Sequence, residues 1–344
     1  DVLEAQLAYW KKQLENLSSV NLPTDRPRTP RQSFRGARVP ITLPQALTES
    51  VNELSSGHAL TPFMTLLAAF EVLLFRYTRR EDVMVGSAIA NRRRPETEGL
   101  MGFFVNTLVL RADLSGNPSF RELLSRVKDT WVAAEANQDL PFEKLVQELH
   151  PERDLSRNPL FQVMFVLQNA TRPFSGISGL RIEPIEIETT RSPFDLSLFL
   201  RERDGKYIGY VEYSTDLFDG DRIERMAGHF QTLLEAIVAD PDQSIATLPM
   251  LTEAERQQIL FDWNNTAADY PKDKCIHELF EEQVERTPNA VALEFEDKQI
   301  SYQELNRRAN QLAHHLISLG IGPEQLVGIC VERSIDMVVG LLGI

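Results

Sequence analysis

Residues 160–168 read LFQVMFVLQ, apolar at odd and even positions alike. A strand with one wet face alternates apolar and polar residues, so a run apolar on both faces belongs inside a sheet covered on both sides. Its neighbours extend that sheet. DVMVGSAIA (82–90) and GFFVNTLVLR (102–111) are short and β-rich. In LRIEPIEIE (180–188) the apolar phase moves from Leu180 and Ile182 to Ile185 and Ile187 across Pro184, which predicts a bulged edge strand. DLSLFLRERDGKYIGYVEY (195–213) predicts a hairpin turning at Asp204-Gly205.

Helical patterns surround these strands, so the fold class is α/β. The opening helix carries Leu3, Leu7, Trp10, Leu14 and Leu17. NLPTDRPRTPRQSFRGARVP (21–40) follows, with four prolines and five arginines; it predicts an extended crossing segment whose arginines are solvated. After a helix near 44–56, Thr61-Pro62 announces FMTLLAAFEVLLF (63–75), apolar almost all round like a central buried helix. A further helix begins near Asp221, with Ile223, Met226, Phe230, Leu233, Leu234 and Ile237 on one stripe. The texture then turns polar from Asp240 to Lys274, interrupted by a short helix with a Thr252/Glu255 capping box, and this predicts a linker. A second unit follows, with helices around 276–286 and after Ser301.

Composition narrows the function classes. The chain has 344 residues, enough for about two domains, with 42% hydrophobic and 25% charged residues. A net charge of −14 argues against nucleic acid or an anionic membrane as the main partner. Cys275 and Cys330 form no Cys-x-x-Cys, which argues against a zinc site or a disulfide framework and fits a reducing, cytoplasmic setting. No signal peptide opens the chain, and the longest apolar run is short and carries Glu71. The helical opening and the closing MVVGLLGI predict a segment of a longer polypeptide.

One stretch tempts a catalytic reading. His314–Gly320 reads HHLISLG, one residue short of HHxxxDG. Leu305, Ala309, Leu312, Leu316 and Leu319 recur at helical spacing from Ser301-x-x-Glu304, a capping-box pattern, so Leu319 is expected in the core. The two histidines then diverge on the outer side and lack an acid to orient an imidazole. Phosphate-binding glycine loops and nucleophile elbows are absent from the sequence.

Three ordered stretches say more: MGFFVNTLVLR (101–111), NQDLPFEKL (137–145) and RDLSRNPLFQVMF (153–165). They resemble the late motifs of condensation domains from nonribosomal peptide synthetases. ISYQEL (300–305), after IHELFEEQVERTP (276–288), resembles the opening of the adenylation domain that follows in such assembly lines. The resemblance implies a chloramphenicol-acetyltransferase-like C-terminal lobe with its inter-lobe helix at 1–245, a linker at 246–274, and a truncated adenylation start at 275–344. It also implies peptidyl carrier proteins as partners, upstream and downstream, with phosphopantetheine on those carriers. The N-terminal lobe bearing HHxxxDG and the rest of the adenylation domain would lie elsewhere in the parent chain. ATP and magnesium would serve only a complete adenylation domain, so no cofactor is expected here and residues 1–344 alone are expected to be inactive. Two rivals are a stand-alone CoA-dependent acyltransferase and a non-catalytic carrier-docking platform.

The motif residues become tunnel or scaffold candidates. Gly102 and Phe103 fit a buried strand, and Asn106 offers its amide to a pantetheine or to a neighbouring backbone group. Arg111 closes that motif. Gln138, Asp139, Pro141 and Phe142 follow, with Asp139 expected to cap a helix and Asn137 standing where the family usually has histidine. Arg153, Asp154, Arg157 and Asn158 are expected to pin a loop. Arg92-Arg93-Arg94 is a weaker candidate for phosphate.

Overall fold

The apolar run at 63–75 lies within one helix, Pro62–Thr78, in the computed structural model of the protein, which describes residues 2–16, 21–92, 95–150, 154–168 and 190–344. Thr61 caps it by accepting from the Met64 N–H, and Pro62 fills a position whose amide would lack a partner. Every side chain from Phe63 to Leu74 is buried. The chain divides into two units, Asp1–Asn264 and Asn265–Ile344.

The first unit runs α1 (Val2–Gln13), β1 (Gly36–Thr42), α2 (Gln45–Gly57), α3 (Pro62–Thr78), β2 (Asp82–Ile89), α4 (Pro95–Glu98) and β3 (Asn106–Asp113). It continues with α5 (Phe120–Ala136), α6 (Phe142–Leu149), β4 (Val163–Gln168), β5 (Leu196–Arg203), β6 (Lys206–Ser214), α7 (Gly220–Ala239) and α8 (Glu253–Gln257). A π-helical turn at Gln258–Asp262 prolongs α8. The strands form one mixed sheet in the order β1-β6-β5-β4-β2-β3. β4 is parallel to both neighbours; the other pairs are antiparallel. The β5–β6 turn places Asp204 at φ 53° and Gly205 at φ 70°, the left-handed pair a two-residue hairpin needs. The bulged edge strand expected at 180–188 lies outside the described residues.

Alternation splits the sheet into two faces. Val163 and Phe165 of β4 and Leu196, Leu198 and Leu200 of β5 are buried on the helix side. There the Phe165 ring sits 5.5 Å from Phe63 and 5.8 Å from Phe70. On the other face Met164 is buried, Val166 half-buried and Gln168 exposed. Two covered faces are thus found only in the first half of β4. Phe161 and the end of α1 cover this second face near β2 and β3: a Cβ on Gly86 would lie 2.1 Å from the Phe161 ring. Arg111 donates to Gln13 O (3.0 Å) and Glu15 O (2.9 Å). Toward β1 the face is open among the described residues, with Pro40 and Thr42 exposed and Phe199, Ile208 and Tyr210 half-buried.

The crossing segment is extended as expected, but its arginines are not simply solvated. Arg28 forks onto Asp195, with Nη1 to Oδ1 at 2.9 Å, and also donates to Ser156 O at 3.0 Å. Arg38 donates to Glu212 at 2.8 and 3.0 Å, Arg35 to Asp216 at 2.8 Å, and Arg26 to Asp219. Acidic groups at the ends of β5 and β6 meet the segment as it passes, and planar guanidinium forks fit carboxylates.

Glu71 is the polar exception within α3. It is 1% exposed, and its Oε2 has no hydrogen-bond partner. Burial pushes its carboxyl well above the usual range. The folded state therefore holds a proton that the unfolded chain releases above its ordinary pKa, so stability falls as pH rises past that point. Glu71→Gln is expected to stabilise the protein at pH 8 by about 1–3 kcal/mol and to change little at pH 4. Urea melts at the two pH values measure this; equal effects at both would contradict a buried neutral acid.

The second unit holds α9 (Ile276–Arg286), an antiparallel hairpin of β7 (Val291–Phe295) and β8 (Lys298–Ser301), α10 (Tyr302–Ser318) and α11 (Ile335–Gly343). α10 begins at Ser301 as expected, and Ser301 accepts from the Glu304 N–H at 3.3 Å. Glu304 does not complete the capping box. It takes Arg307 (2.6 Å) and Arg308 (2.7 Å), whose hydrogen bonds push its carboxyl down to about 2. His314 and His315 are exposed helical residues. Leu305 and Ala309 are buried, but Leu319 is 65% exposed, against expectation. α11 packs at Ala309 and Leu312, where a Cβ on Gly343 would lie 3.0 Å from the Ala309 carbonyl oxygen, and the last turn of α10 runs past that contact.

Candidate functional site

Asn106, the odd polar residue of its motif, is 8% exposed at the start of β3. Its Nδ2 donates to Gln138 O (2.8 Å) and Leu140 O (2.9 Å). Its Oδ1 accepts from Thr107 N (2.9 Å) and Phe142 N (3.0 Å). Two donors and two acceptor positions are the full capacity of a carboxamide. The bond to Phe142 N caps α6, the task expected of Asp139. Asp139 instead accepts from Gln6 Nε2 at 3.3 Å, and Trp10 Nε1 donates to Asn137 O at 2.8 Å. Gln138 is 6% exposed and donates to Glu135 O at 2.7 Å. Pro141 takes the N-cap position of α6 without a side-chain bond. The turn at 137–142 is thus gripped by β3 on one side and α1 on the other.

The third motif joins this cluster through aromatic rings. Phe142 lies 5.7 Å from Phe161, which stacks on Phe194 at 5.3 Å. Asn158 Nδ2 donates to Pro193 O at 2.8 Å, and Asn158 also exchanges two bonds with Gln162 (3.0 and 2.8 Å). Arg157 pairs with Asp154 at 3.6 Å and donates to Asn21. Arg153, Arg93 and Arg94 lie outside the described residues. Arg92 donates to Thr97 O and lies 4.2 Å over the Phe104 ring. Arg111 stands apart at the far end of β3, where its fork on Asp82 (2.8 Å at both nitrogens) raises its pKa.

Gly102 and Phe103 do not form a buried strand. Both precede β3, and Phe103 is 89% exposed, with Met101 fully exposed beside it. Apolar composition predicted burial, but these residues pair with no strand.

Sequence reading missed the open sheet face. There Arg38 lies 4.0 Å over the Tyr210 ring while bonding Glu212, and the Phe199 ring packs tilted against Tyr210 at 4.9 Å. Arg38, Phe199 and Tyr210, with Pro40, Ile208 and Arg201, line a hollow of about 710 Å³. A Cβ at Gly209 would fall 1.8 Å from Phe199 O, so only glycine lets the strands close at its rim. The signal was present: Phe199 and Tyr210 occupy the alternate phase to the buried Leu198, Leu200 and Val211. Among the described residues no group of three His, Cys, Asp or Glu side chains is placed to hold a metal ion. Among the described residues no single helix is long and apolar enough to cross a membrane.

Among the described residues, a six-stranded mixed sheet with most of its helices on one face is followed by a second unit of helices and a two-stranded hairpin. The condensation-domain family model matches residues 1–260 and the AMP-binding enzyme model residues 280–344, and the chain belongs to the condensation domain family. It is 46% identical over 347 residues to a linear gramicidin synthase of Brevibacillus parabrevis, covering 100% of this chain and 7% of that one. Chondramide synthase cmdD of Chondromyces crocatus is 46% identical over 345 residues, covering 99% of this chain and 9% of that protein. The chain therefore spans less than a tenth of these relatives. Among solved structures, the four-domain nonribosomal peptide synthetase holo-AB3403, bound to AMP and glycine, superposes with a TM-score of 0.85 at 22% identity, over 100% of this chain and 27% of that one. The X-domain from teicoplanin biosynthesis gives 0.68 at 27% identity, over 73% of this chain and 58% of that one.

Proposed function

We propose that this chain is part of a nonribosomal peptide synthetase module and supplies one wall of an amide-forming cleft. Residues 1–245 act as the inter-lobe helix and C-terminal lobe of a condensation domain. A lobe carrying HHxxxDG, elsewhere in the parent protein, supplies the imidazole. An amine tethered through phosphopantetheine to a downstream carrier protein attacks the thioester on an upstream carrier. The amide forms, and the upstream thiol leaves. Tethering both reactants raises their effective concentration, and positioning provides much of the acceleration. The absent imidazole helps remove the amine proton or stabilises the charged intermediate. Unit 2 begins an adenylation domain, which when complete uses ATP and magnesium to activate the amino acid. The setting is the cytoplasm.

The open sheet face carries this reading. Its aromatic and cationic lining and its hollow of about 710 Å³ offer room beside a second lobe. The motif residues Asn106, Gln138, Asp139, Pro141, Phe142, Arg157, Asn158 and Arg111 serve mainly to hold that wall in shape. Exposed Met101 and Phe103 fit a surface that meets the other lobe. The test is an acyl-transfer assay on the complete parent module with loaded carriers, run beside acetyl-CoA with a free amine. Amide product from the carriers and no CoA release is expected. CoA turnover would favour the stand-alone acyltransferase, and no product from either would favour a docking platform.

A further inference from the structure

The polar stretch after Asp240 does not behave as a free tether. Ile245 and Leu248 are fully buried, and Arg76 donates to Leu248 O at 2.6 Å and Ile245 O at 3.4 Å. Phe120 N and Ile245 N bond Gln243 O and Pro118 O at 3.1 and 3.0 Å. Met250, half-buried against the core, is the last residue of this apolar anchorage, and Leu251 is exposed. From Glu253 to Asn264 every residue is exposed except Glu255, which is half-buried.

Glu255 reaches inward to a histidine. His229 of α7 is 7% exposed, and its Nε2 lies 2.9 and 3.0 Å from the two Glu255 oxygens. Its Nδ1 lies 2.7 Å from the Tyr77 hydroxyl at the end of α3. A carboxylate only accepts, so Nε2 carries the hydrogen and donates to Glu255. Tyr77 retains its proton, because burial first and the Glu255 charge second push its pKa up to about 12. It can therefore donate to Nδ1. The same Glu255 accepts from Thr252 N (2.9 Å) and the Thr252 hydroxyl (2.8 Å), so the helix cap and the link to His229 share one carboxylate.

We propose that His229 is a positioning residue, a latch that holds α8 on the condensation unit and thereby sets how much chain is free to carry the next domain. This rests on the reading of the chain as part of a module. With the latch closed, the free tether is the exposed run 265–274. Met250 still packs on the core when the latch opens, so release frees the chain from 251. At 5–6 Å times the square root of its length, about 10 residues span roughly 18 Å, against roughly 27 Å for the about 24 residues from 251. Effective concentration falls as the −3/2 power of length, so release would lower it about fourfold.

Hydrogen exchange on this chain tests the latch. Glu255→Ala cuts the link at an exposed helix, and Thr252→Ala, which weakens the cap but leaves His229 bonded, serves as control. Amides at 253–262 should exchange at least tenfold faster in Glu255→Ala than in Thr252→Ala, with those of β4 and β5 unchanged. Equal effects from the two variants, or acceleration throughout the unit, would overturn the latch. In the complete module, Glu255→Ala should lower amide formation about fourfold and leave amino-acid activation unchanged. Unaltered amide formation would overturn the positioning role. A parent module that makes no amide at all would refute the functional reading, and the latch would then stand or fall on the exchange result.

Discussion

Replacing Asn106 by alanine is expected to destabilise the first unit by about 3–4 kcal/mol, because four backbone groups lose their only bond to this amide in a buried place. The carbonyls of Gln138 and Leu140 and the N–H of Phe142 would face the space left behind. Asn106→Asp is a sharper probe. It keeps the shape and the two acceptor bonds but turns a carboxylate oxygen toward two carbonyl oxygens, so it should cost at least as much at pH 7. Urea unfolding of the three proteins measures both effects. A change within about 0.5 kcal/mol, usual for surface substitutions, would mean the amide is not the clamp of the 137–142 turn.

Arg28→Ala should have a comparable effect, about 3–5 kcal/mol, for a different reason. Asp195 is 3% exposed, and the Arg28 fork is its charged partner. Truncating one member of a buried pair leaves the other charge in a poor environment, which costs more than the pair contributes. Adding Asp195→Asn to Arg28→Ala should therefore recover stability rather than lose more. The sign of that coupling is the measurement. If the double substitution is the sum of the singles, the cost lies in lost packing along the crossing segment and not in a stranded carboxylate.

These two residues also mark what the amino-acid order makes legible. The central helix, its Thr61 cap and the Asp204-Gly205 hairpin are local, and each is written within a few consecutive residues. Asn106 and Arg28 depend on groups far away in the chain: the amide caps a helix that begins 36 residues later, and Arg28 meets an acid 167 residues later. Periodicity does not report such meetings, so Asp139 looked like the cap and the arginines looked solvated. Phe103 failed for a related reason, since a β-rich run is buried only where a partner strand accepts it. Leu319 followed the helical stripe, yet it stands 65% exposed, one turn and more past the contact of α11 with Ala309 and Leu312. The motifs identified the family, but the open face with Arg38, Phe199 and Tyr210 needed the register of three strands.

The most direct test of the cleft wall is peptide product formed from two loaded carrier proteins. Residues 1–344 alone should give no dipeptidyl thioester above the uncatalysed background, and the same residues joined to a lobe bearing HHxxxDG should give it in a time-dependent way. Dipeptidyl thioester formed by residues 1–344 alone would contradict the account, because the imidazole would then have to come from within this chain.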